Sequence, residues 1–391
     1  MKLSSLHLEN FRNYARLDFA FPDEPIVILS GENAQGKTNF LEAMYLMAIT
    51  KSFRIGDREF LKQFDKDYFR IEARGVSGGQ YQANKTSEAI HLEMCEIHAP
   101  QHQRVLKKNG TKISAPKFLG HIKAVLFRPE DLHILTGEPA LRRKYLNTIL
   151  IQTIPGYMRQ LQTYQKLLSQ RNALLLQIKL GSASMADLDI WDPPLAEAGA
   201  ALLTSRIELV DFLRKQLYEQ VGAALYEIEY ACFLHNSALP QLQNELQSLL
   251  LQTLVQARSR DTRSTHTSVG PHRDDLRLKI RGYPLELTAS RGELRSALMG
   301  LKQAEIAWFS FKTGETPIIL LDDIFSELDS NRKNDIFEPI FNGVLAPLLT
   351  NLPSTTQIIM TVADGNPLPT SPKLRSASTV RKVHGGQIID Q

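Results

Sequence analysis

This 391-residue chain predicts an α/β fold with an inserted, mainly helical region. Three observations carry that prediction. First, the apolar run Ile26-Val27-Ile28-Leu29 leads into Gly31-Glu32-Asn33-Ala34-Gln35-Gly36-Lys37-Thr38, which fits G-x-x-x-x-G-K-[ST], and Thr38 to Leu46 then carry apolar groups at helical spacing. Second, Pro317 to Leu321 reads as a central parallel strand ending in two carboxylates, Asp322 and Asp323. Third, the stretch from about 137 to 260 changes to a helical period, with Tyr157, Leu161, Tyr164, Leu168 and Leu175 on one stripe and Leu195, Ala198, Leu202 and Leu209 on the next.

Taken in order, residues 1 to about 30 read as two strands: Leu3, Leu6 and Leu8 lead into Phe11-Arg12-Asn13-Tyr14, and Leu17, Phe19 and Phe21 alternate before the turn at Pro22-Asp23. Short alternating segments from Tyr68 to about Ile113 predict a sheet-rich lobe, punctuated by Gly78-Gly79 and Asn109-Gly110. Ala124 to Phe127 is another apolar strand. Pro193-Pro194 can open the second long helix without losing a needed N–H. Strands are expected at Leu276–Ile280 and Leu285–Leu287, a helix from about Glu293 to Phe311, a core strand at Gln357–Thr361 and a closing strand within 380–389. The domain reading is 1–135 for the first lobe, 136–262 for the helical insertion and 263–391 for the return of the chain.

The loop's chemistry follows from its residue types. Glycines let backbone N–H groups converge on phosphate oxygens, a helix N-terminus adds positive partial charge, and Lys37 adds a full one. Thr38 can offer its hydroxyl to Mg²⁺. A magnesium ion also needs a carboxylate from the protein, and Asp322 stands where that acid belongs. Asp323 is the candidate to orient or deprotonate an attacking water, although an Asp pair after a strand also suits plain turn chemistry. The loop and this strand lie far apart in the chain, so one sheet must be assembled from both ends.

Composition narrows the classes. Two cysteines, Cys95 and Cys232, are too few and too far apart for a disulfide framework or a zinc site, and they fit a reducing cytoplasm. The start lacks a secretory apolar core, and no run of 18 apolar residues exists to span a membrane. A net charge of +4 permits a polyanionic partner without requiring one. Basic clusters suited to phosphate contacts occur at Arg104, Lys107, Lys108 and Lys112, at Arg142-Arg143-Lys144, and at Arg258, Arg260 and Arg263, each equally readable as a solvated face.

Several stretches stand out together: Leu8-Glu9-Asn10-Phe11-Arg12-Asn13-Tyr14, the loop with Lys37-Thr38-Asn39-Phe40-Leu41-Glu42-Ala43, Lys51-Ser52-Phe53-Arg54 and Phe127-Arg128-Pro129-Glu130-Asp131-Leu132. They continue through Gln170 to Leu175, Gly270-Pro271-His272-Arg273-Asp274-Asp275, and Leu321 to Asp329. In these residues, in unchanged order, the sequence resembles the RecF family of bacterial DNA repair proteins. The resemblance implies an ABC-type ATPase head of the SMC kind, with a mixed sheet around the phosphate-loop helix. It also implies ATP and Mg²⁺ as ligands and an ATP-dependent homodimer in which a signature helix covers the partner copy's nucleotide. The matching signature residues are Ser290-Arg291-Gly292-Glu293, with Ser290 and Gly292 toward the γ-phosphate in trans, and Ser326-Glu327-Leu328-Asp329 form the D-loop. Ser290 with Glu293 also fits a helix capping box. The nucleotide-binding set is then Gly31 to Asn39 with Ser290 and Gly292, and His272 and Arg273 are candidates for the nucleotide or dimer interface.

Four departures bear on turnover. Glu293 stands where Gln is usual and brings negative charge near a phosphate. Ala34 replaces a common Gly, which argues against a positive φ there. Val362 lies near the usual His or Thr sensor, and Pro129 near the usual Gln. Hydrolysis is therefore expected to be slow and DNA-stimulated. By the same resemblance the partners are double-stranded and gapped DNA, RecO and RecR, with RecA loading as the outcome. The alternatives are a non-hydrolysing ATP-dependent DNA clamp and the motor subunit of a membrane transporter.

Overall fold

The computed structural model describes residues 1–54, 56, 58–77, 88–99, 101–221, 226–233, 242–323, 356–364 and 376–390, the side chains of 77, 218–221 and 390 excepted. The Gly78-Gly79 turn and the D-loop residues Ser326 to Asp329 lie outside the described residues. The chain divides into two compact units, Met1–Asp131 with Glu305–Gln391, and Leu132–Ala304.

In the first unit, β1 (Lys2–Phe11), β2 (Tyr14–Ala20), β3 (Ile26–Gly31) and α1 (Lys37–Ile49) are followed by β4 (Tyr68–Ser77), β5 (Glu88–Ile97), β6 (Gln103–Lys108), β7 (Thr111–Lys112), α2 (Ala115–Phe118) and β8 (Ala124–Phe127). The antiparallel sheet runs β2-β1-β4-β5-β6-β7. Asn109 and Gly110, both at positive φ (49° and 81°), make the two-residue turn between β6 and β7 that the sequence predicts. Helix α1 is buried almost all round because residues of this sheet and of β3 share one core with it, Leu6, Leu8, Leu29, Phe40, Leu41 and Met44 among them. Such a helix has no polar face to show to water.

The second unit holds α3 (His133–Thr136), α4 (Pro139–Thr153), α5 (Tyr157–Lys179), α6 (Asp192–Val221), β9 (Tyr226–Ala231), α7 (Gln243–Ser264), β10 (Asp275–Ile280), β11 (Tyr283–Pro284), α8 (Leu285–Thr288) and the start of α9 (Arg291–Thr313). Packing thus places 263–304 with the helices, not with the first unit as the sequence reading has it. The reason is strand pairing: β10 finds its partner in β9, from Asp275↔Ala231 to Ile280↔Tyr226. The strand expected at Leu285–Leu287 is a helical turn. Pairing from β10 stops at Pro284, which has no N–H to continue it.

The Gly270–Asp275 run is woven into the interior of this unit. Arg171, fully buried, donates to Asp192 (2.7 Å), Asp261 (2.8 Å) and Thr267 Oγ1 (2.8 Å). Arg206 donates to Pro271 O (2.6 Å) and Asn147 (3.0 Å), while Tyr230 donates to Asp274 (2.7 Å) and Arg142 forks onto Asp275 (2.6 and 3.0 Å). His272 is accounted for within the fold: Nε2–H donates to Thr267 O (2.9 Å), which can only accept, so Nδ1 accepts from the Tyr164 hydroxyl (2.7 Å).

Returning to the first unit, β12 (Ile318–Leu321), β13 (Ile358–Ala363), β14 (Ser378–His384) and β15 (Gln387–Asp390) complete a second sheet, ordered β15-β14-β3-β13-β12-β8. All neighbours in it pair in parallel except the β14–β15 hairpin, which replaces the single closing strand expected from sequence. Strands from both ends of the chain meet here, so the carboxyl ends of β3 and β12 lie at one edge with β13 between them.

Burial pushes the His272 imidazole down to about 4 and the Asp274 carboxyl up to about 6. The signs oppose. Asp274's contribution to folding is present below the ordinary carboxylate range and lost as pH rises through about 6, whereas His272's is present above the ordinary imidazole range and lost as pH falls through about 4. On going from about pH 7 to about pH 5, His272→Asn should gain stability relative to wild type and Asp274→Asn should lose it, each on the order of 1 kcal/mol by urea denaturation. Shifts of the same sign in both variants would show that these groups do not titrate as placed.

Candidate functional site

The phosphate-type loop is held by two β-turns. Asn13, in the turn between β1 and β2, donates through Nδ2 to Gln35 O (2.8 Å), and the neighbouring Tyr14 hydroxyl donates to Gly36 O (3.0 Å). From the other side Gly385 N–H donates to the Gln35 side chain (2.7 Å) and Gly386 N–H to Gln35 O (3.2 Å). Gly36 caps α1 at φ 116°, and a Cβ there would meet Asn13 Nδ2 at 2.6 Å, so only glycine fits. Ala34 does adopt positive φ, 64°, against the sequence expectation. The flanking anchors impose that backbone at a cost of about 1–2 kcal/mol.

Lys37 is 8% exposed and folds back, donating to Gly31 O (2.6 Å) and Glu32 O (2.7 Å). Burial lowers its pKa, while Asp323, Asp364 and Asp322 oppose the shift by attraction. Thr38 Oγ1 donates to Asp322 Oδ1 (2.9 Å) across 284 residues of sequence. Thr361, at the level of β13 just beyond the Leu321↔Met360 pair, donates to the same Asp322 oxygen (3.0 Å) and accepts from Asp323 N–H (2.9 Å). The Asp322 carboxyl is raised by burial, with the Thr38 and Thr361 hydrogen bonds working against that rise.

Asn39 links outward. It donates to Asn13 Oδ1 (2.7 Å) and accepts from Arg54 (2.7 Å). Beneath it the fully buried Glu42 takes a two-pronged contact from Arg12 (2.9 and 2.7 Å) and a short hydrogen bond from Ser52. Arg128, following β8, lies over the Phe53 ring with its charge 4.9 Å from the centroid. Glu32, Asn33 and Ala34 form the exposed lip, Gln35 is half-buried, and Gly31 is covered by Val383, whose carbonyl a Cβ would strike at 2.4 Å.

The donor set can be tested against the ligand class. Threonine hydroxyl and carboxylate oxygens are hard donors of the sort magnesium takes, and 2.9 Å is the spacing of adjacent oxygens on an octahedron with arms of about 2.1 Å. Asp322, Asp323 and Asp364 each attract the Lys37 ammonium, so the mouth of the loop offers carboxylate charge to a cation. The residues present fit a magnesium nucleotide.

Ser290 and Gly292 lie in the second unit, so the chain divides them from the loop. Ser290 and Glu293 form both halves of a capping box: Ser290 N–H donates to Glu293 Oε2 (2.8 Å) and Glu293 N–H to Ser290 Oγ (3.3 Å). Arg281 also holds Glu293 (2.9 Å), so the unusual acid already has a countercharge. The basic clusters are largely committed within the fold: Arg104 to Glu96, Lys107 to Glu93, Lys108 to Glu88, Arg142 to Asp275 and Arg258 to Asp189 and Asp192. Lys112, Lys144 and Arg263 stay exposed.

Sequence reasoning missed Thr361, which takes the polar role sought at Val362, one residue away. The signal was available in strand alternation, since register decides which of two adjacent residues faces the carboxylates. The hold of Asn13 and Gly386 on Gln35 had no local signal.

A mixed sheet with a glycine loop, a lysine and threonine at a helix start and a carboxylate at the end of a neighbouring strand defines an ABC-type P-loop ATPase fold. Residues 1–167 match the AAA ATPase domain family. The chain is 33% identical over 352 residues to the DNA replication and repair protein RecF of Streptococcus uberis, covering 90% of this chain and 93% of that one. It is 35% identical to RecF of Streptococcus thermophilus, covering 87% and 89%. The solved structure of the recombination mediator protein RecF-ATP in the RecFOR pathway superposes with a TM-score of 0.83 at 28% identity, covering 100% of this chain and 97% of that one. The chain belongs to the RecF family.

Thr361→Val should cost about 1–3 kcal/mol in urea denaturation, because it strips a buried carboxylate and an N–H of their shared partner. Thr361→Ser should recover most of that loss. A neutral valine variant would contradict the coupling of β12 to β13 described above.

Proposed function

We propose that the chain is an ATP-binding DNA repair protein that dimerises around Mg-ATP on duplex DNA at single-strand gaps, and that with RecO and RecR it assists RecA loading. The observation that carries this reading is the Thr38–Asp322 hydrogen bond beside a buried Lys37 that folds onto the loop's own carbonyls. Family membership supports the repair role and sets the transporter reading aside. The relatives are named for DNA replication and repair, and one is solved as RecF-ATP in the RecFOR pathway.

Each residue then has a task. Lys37 exchanges its two carbonyl partners for phosphate oxygens, and Thr38 with Asp322 holds Mg²⁺. Asp323, its backbone fixed by Thr361, orients or deprotonates the attacking water. Ser290 and Gly292 of a second copy, at a helix N-terminus, cover the γ-phosphate. When bound, Mg-ATP supplies the phosphoryl group whose loss reopens the pair. Turnover is slow, with Glu293 keeping an acid at the closing surface.

Two measurements test this. Anisotropy with gapped duplex should show salt-sensitive binding that tightens with ATP, and equal binding with and without ATP would sink the reading. Phosphate release with DNA present should fall about 100-fold or to background in Asp323→Asn. Identical rates in wild type and variant would favour a non-hydrolysing clamp.

A further inference from the structure

We propose that the β5–β6 hairpin carries a site for a zinc-class divalent transition-metal ion, formed by Glu96 Oε1, His98 Nε2 and His102 Nε2. Among the described residues these are the three His, Cys, Asp or Glu side chains whose ligand atoms all lie within 4.8 Å of one another. Glu96, next to last in β5, lies opposite Arg104 of β6, and the two histidines occupy the connection between the strands. The site lies in the first unit and involves none of the nucleotide residues.

The division of labour on Glu96 favours a cation. Its Oε2 accepts from Arg104 Nε (2.9 Å) and has Arg58 Nη1 at 3.6 Å, while its Oε1 faces His102 Nε2 (2.9 Å) and His98 Nε2 (3.9 Å). One oxygen is thus fixed by arginine, as a supporting partner fixes a ligating carboxylate, and the other is turned to two imidazoles. Without an ion this arrangement leaves a defect: His98 Nε2 is buried with no hydrogen-bond partner. An unsatisfied buried ring nitrogen costs about 1–3 kcal/mol, and metal coordination would remove that cost.

The chemistry selects the ion. Two imidazoles and one carboxylate make a tetrahedral zinc set with one position left for water. Bonds of about 2.1 Å place tetrahedral ligand atoms about 3.4 Å apart, between the two separations that Glu96 Oε1 shows to the rings. His102 is 54% exposed and free to adjust, whereas Glu96 is 1% exposed and set. Bound there, the ion would clip the loop end of the hairpin.

The test uses the full chain after chelator treatment, without nucleotide. Zn²⁺ titrated by calorimetry should bind at about one ion per chain, and Co²⁺ should give the visible absorption of a four-coordinate site without a thiolate band, since the ligand set holds no cysteine. His102→Ala should weaken Zn²⁺ binding at least about tenfold and abolish the rise in Tm that Zn²⁺ gives the wild type. The metal-free Tm of the variant should match wild type, which separates a lost ligand from a lost fold. Absence of stoichiometric binding, or equal affinity in His102→Ala, would overturn the proposal.

Discussion

The hydrogen bond from the Thr38 hydroxyl to the Asp322 carboxylate is the constraint on which the first unit depends. It spans 284 residues of sequence and ties a helix start to the end of a strand two positions away in the sheet. For the bond to form, β13 must enter between β3 and β12. The Thr361 it brings then completes the contact by holding Asp322 through its hydroxyl and Asp323 through its backbone. A buried carboxylate is costly unless its oxygens are engaged, so a sheet threaded in another order would leave Asp322 uncompensated. The same two groups are those proposed to hold a magnesium nucleotide, which would make the packing constraint and the chemistry one feature.

The loop itself takes its shape from other contacts. Its curvature is fixed from outside, by Asn13 and Tyr14 on one flank and Gly385 and Gly386 on the other, all acting on Gln35 and Gly36. Those anchors come from hairpin turns near the two ends of the chain, one in each sheet, so the shape of the loop depends on both. Holding it this way explains how Ala34 can sit at φ 64° where glycine would be easier. In the second unit the buried charges are paired with one another, Arg171 and Arg206 drawing acids, hydroxyls and carbonyls around the Gly270–Asp275 run, with Arg171 Nη2 and Asp274 Oδ1 left without a hydrogen-bond partner among the described residues.

Much of this was legible in the sequence wherever the signal is local. The strand, glycine loop and helix at Ile26–Leu46, the strand before Asp322, the Asn109-Gly110 turn and the long α5 and α6 each announce themselves through periodicity or turn chemistry. What was not legible depends on partners distant in the chain. Leu285–Leu287 alternates like a strand, yet with β9 already paired to β10 and Pro284 closing the edge it becomes a helical turn. Residues 263–304 belong by packing to the helical unit for the same reason. Basic residues that suggest phosphate contacts turn out to face acids across β5–β6 and on α4 and α7, and pairs of that kind cannot be read without register. Glu96, His98 and His102 were invisible as a group because their types and spacing match no common motif.

The central claim is that the loop from Gly31 to Thr38 is half of a site completed by a second copy. Sedimentation velocity of wild type and Lys37→Met, each with and without Mg-ATP, tests it most directly. Wild type should shift from monomer to dimer only with Mg-ATP, and Lys37→Met should remain monomeric in both conditions. A Lys37→Met chain that still dimerises with Mg-ATP, or a wild type that never responds to it, would contradict the claim.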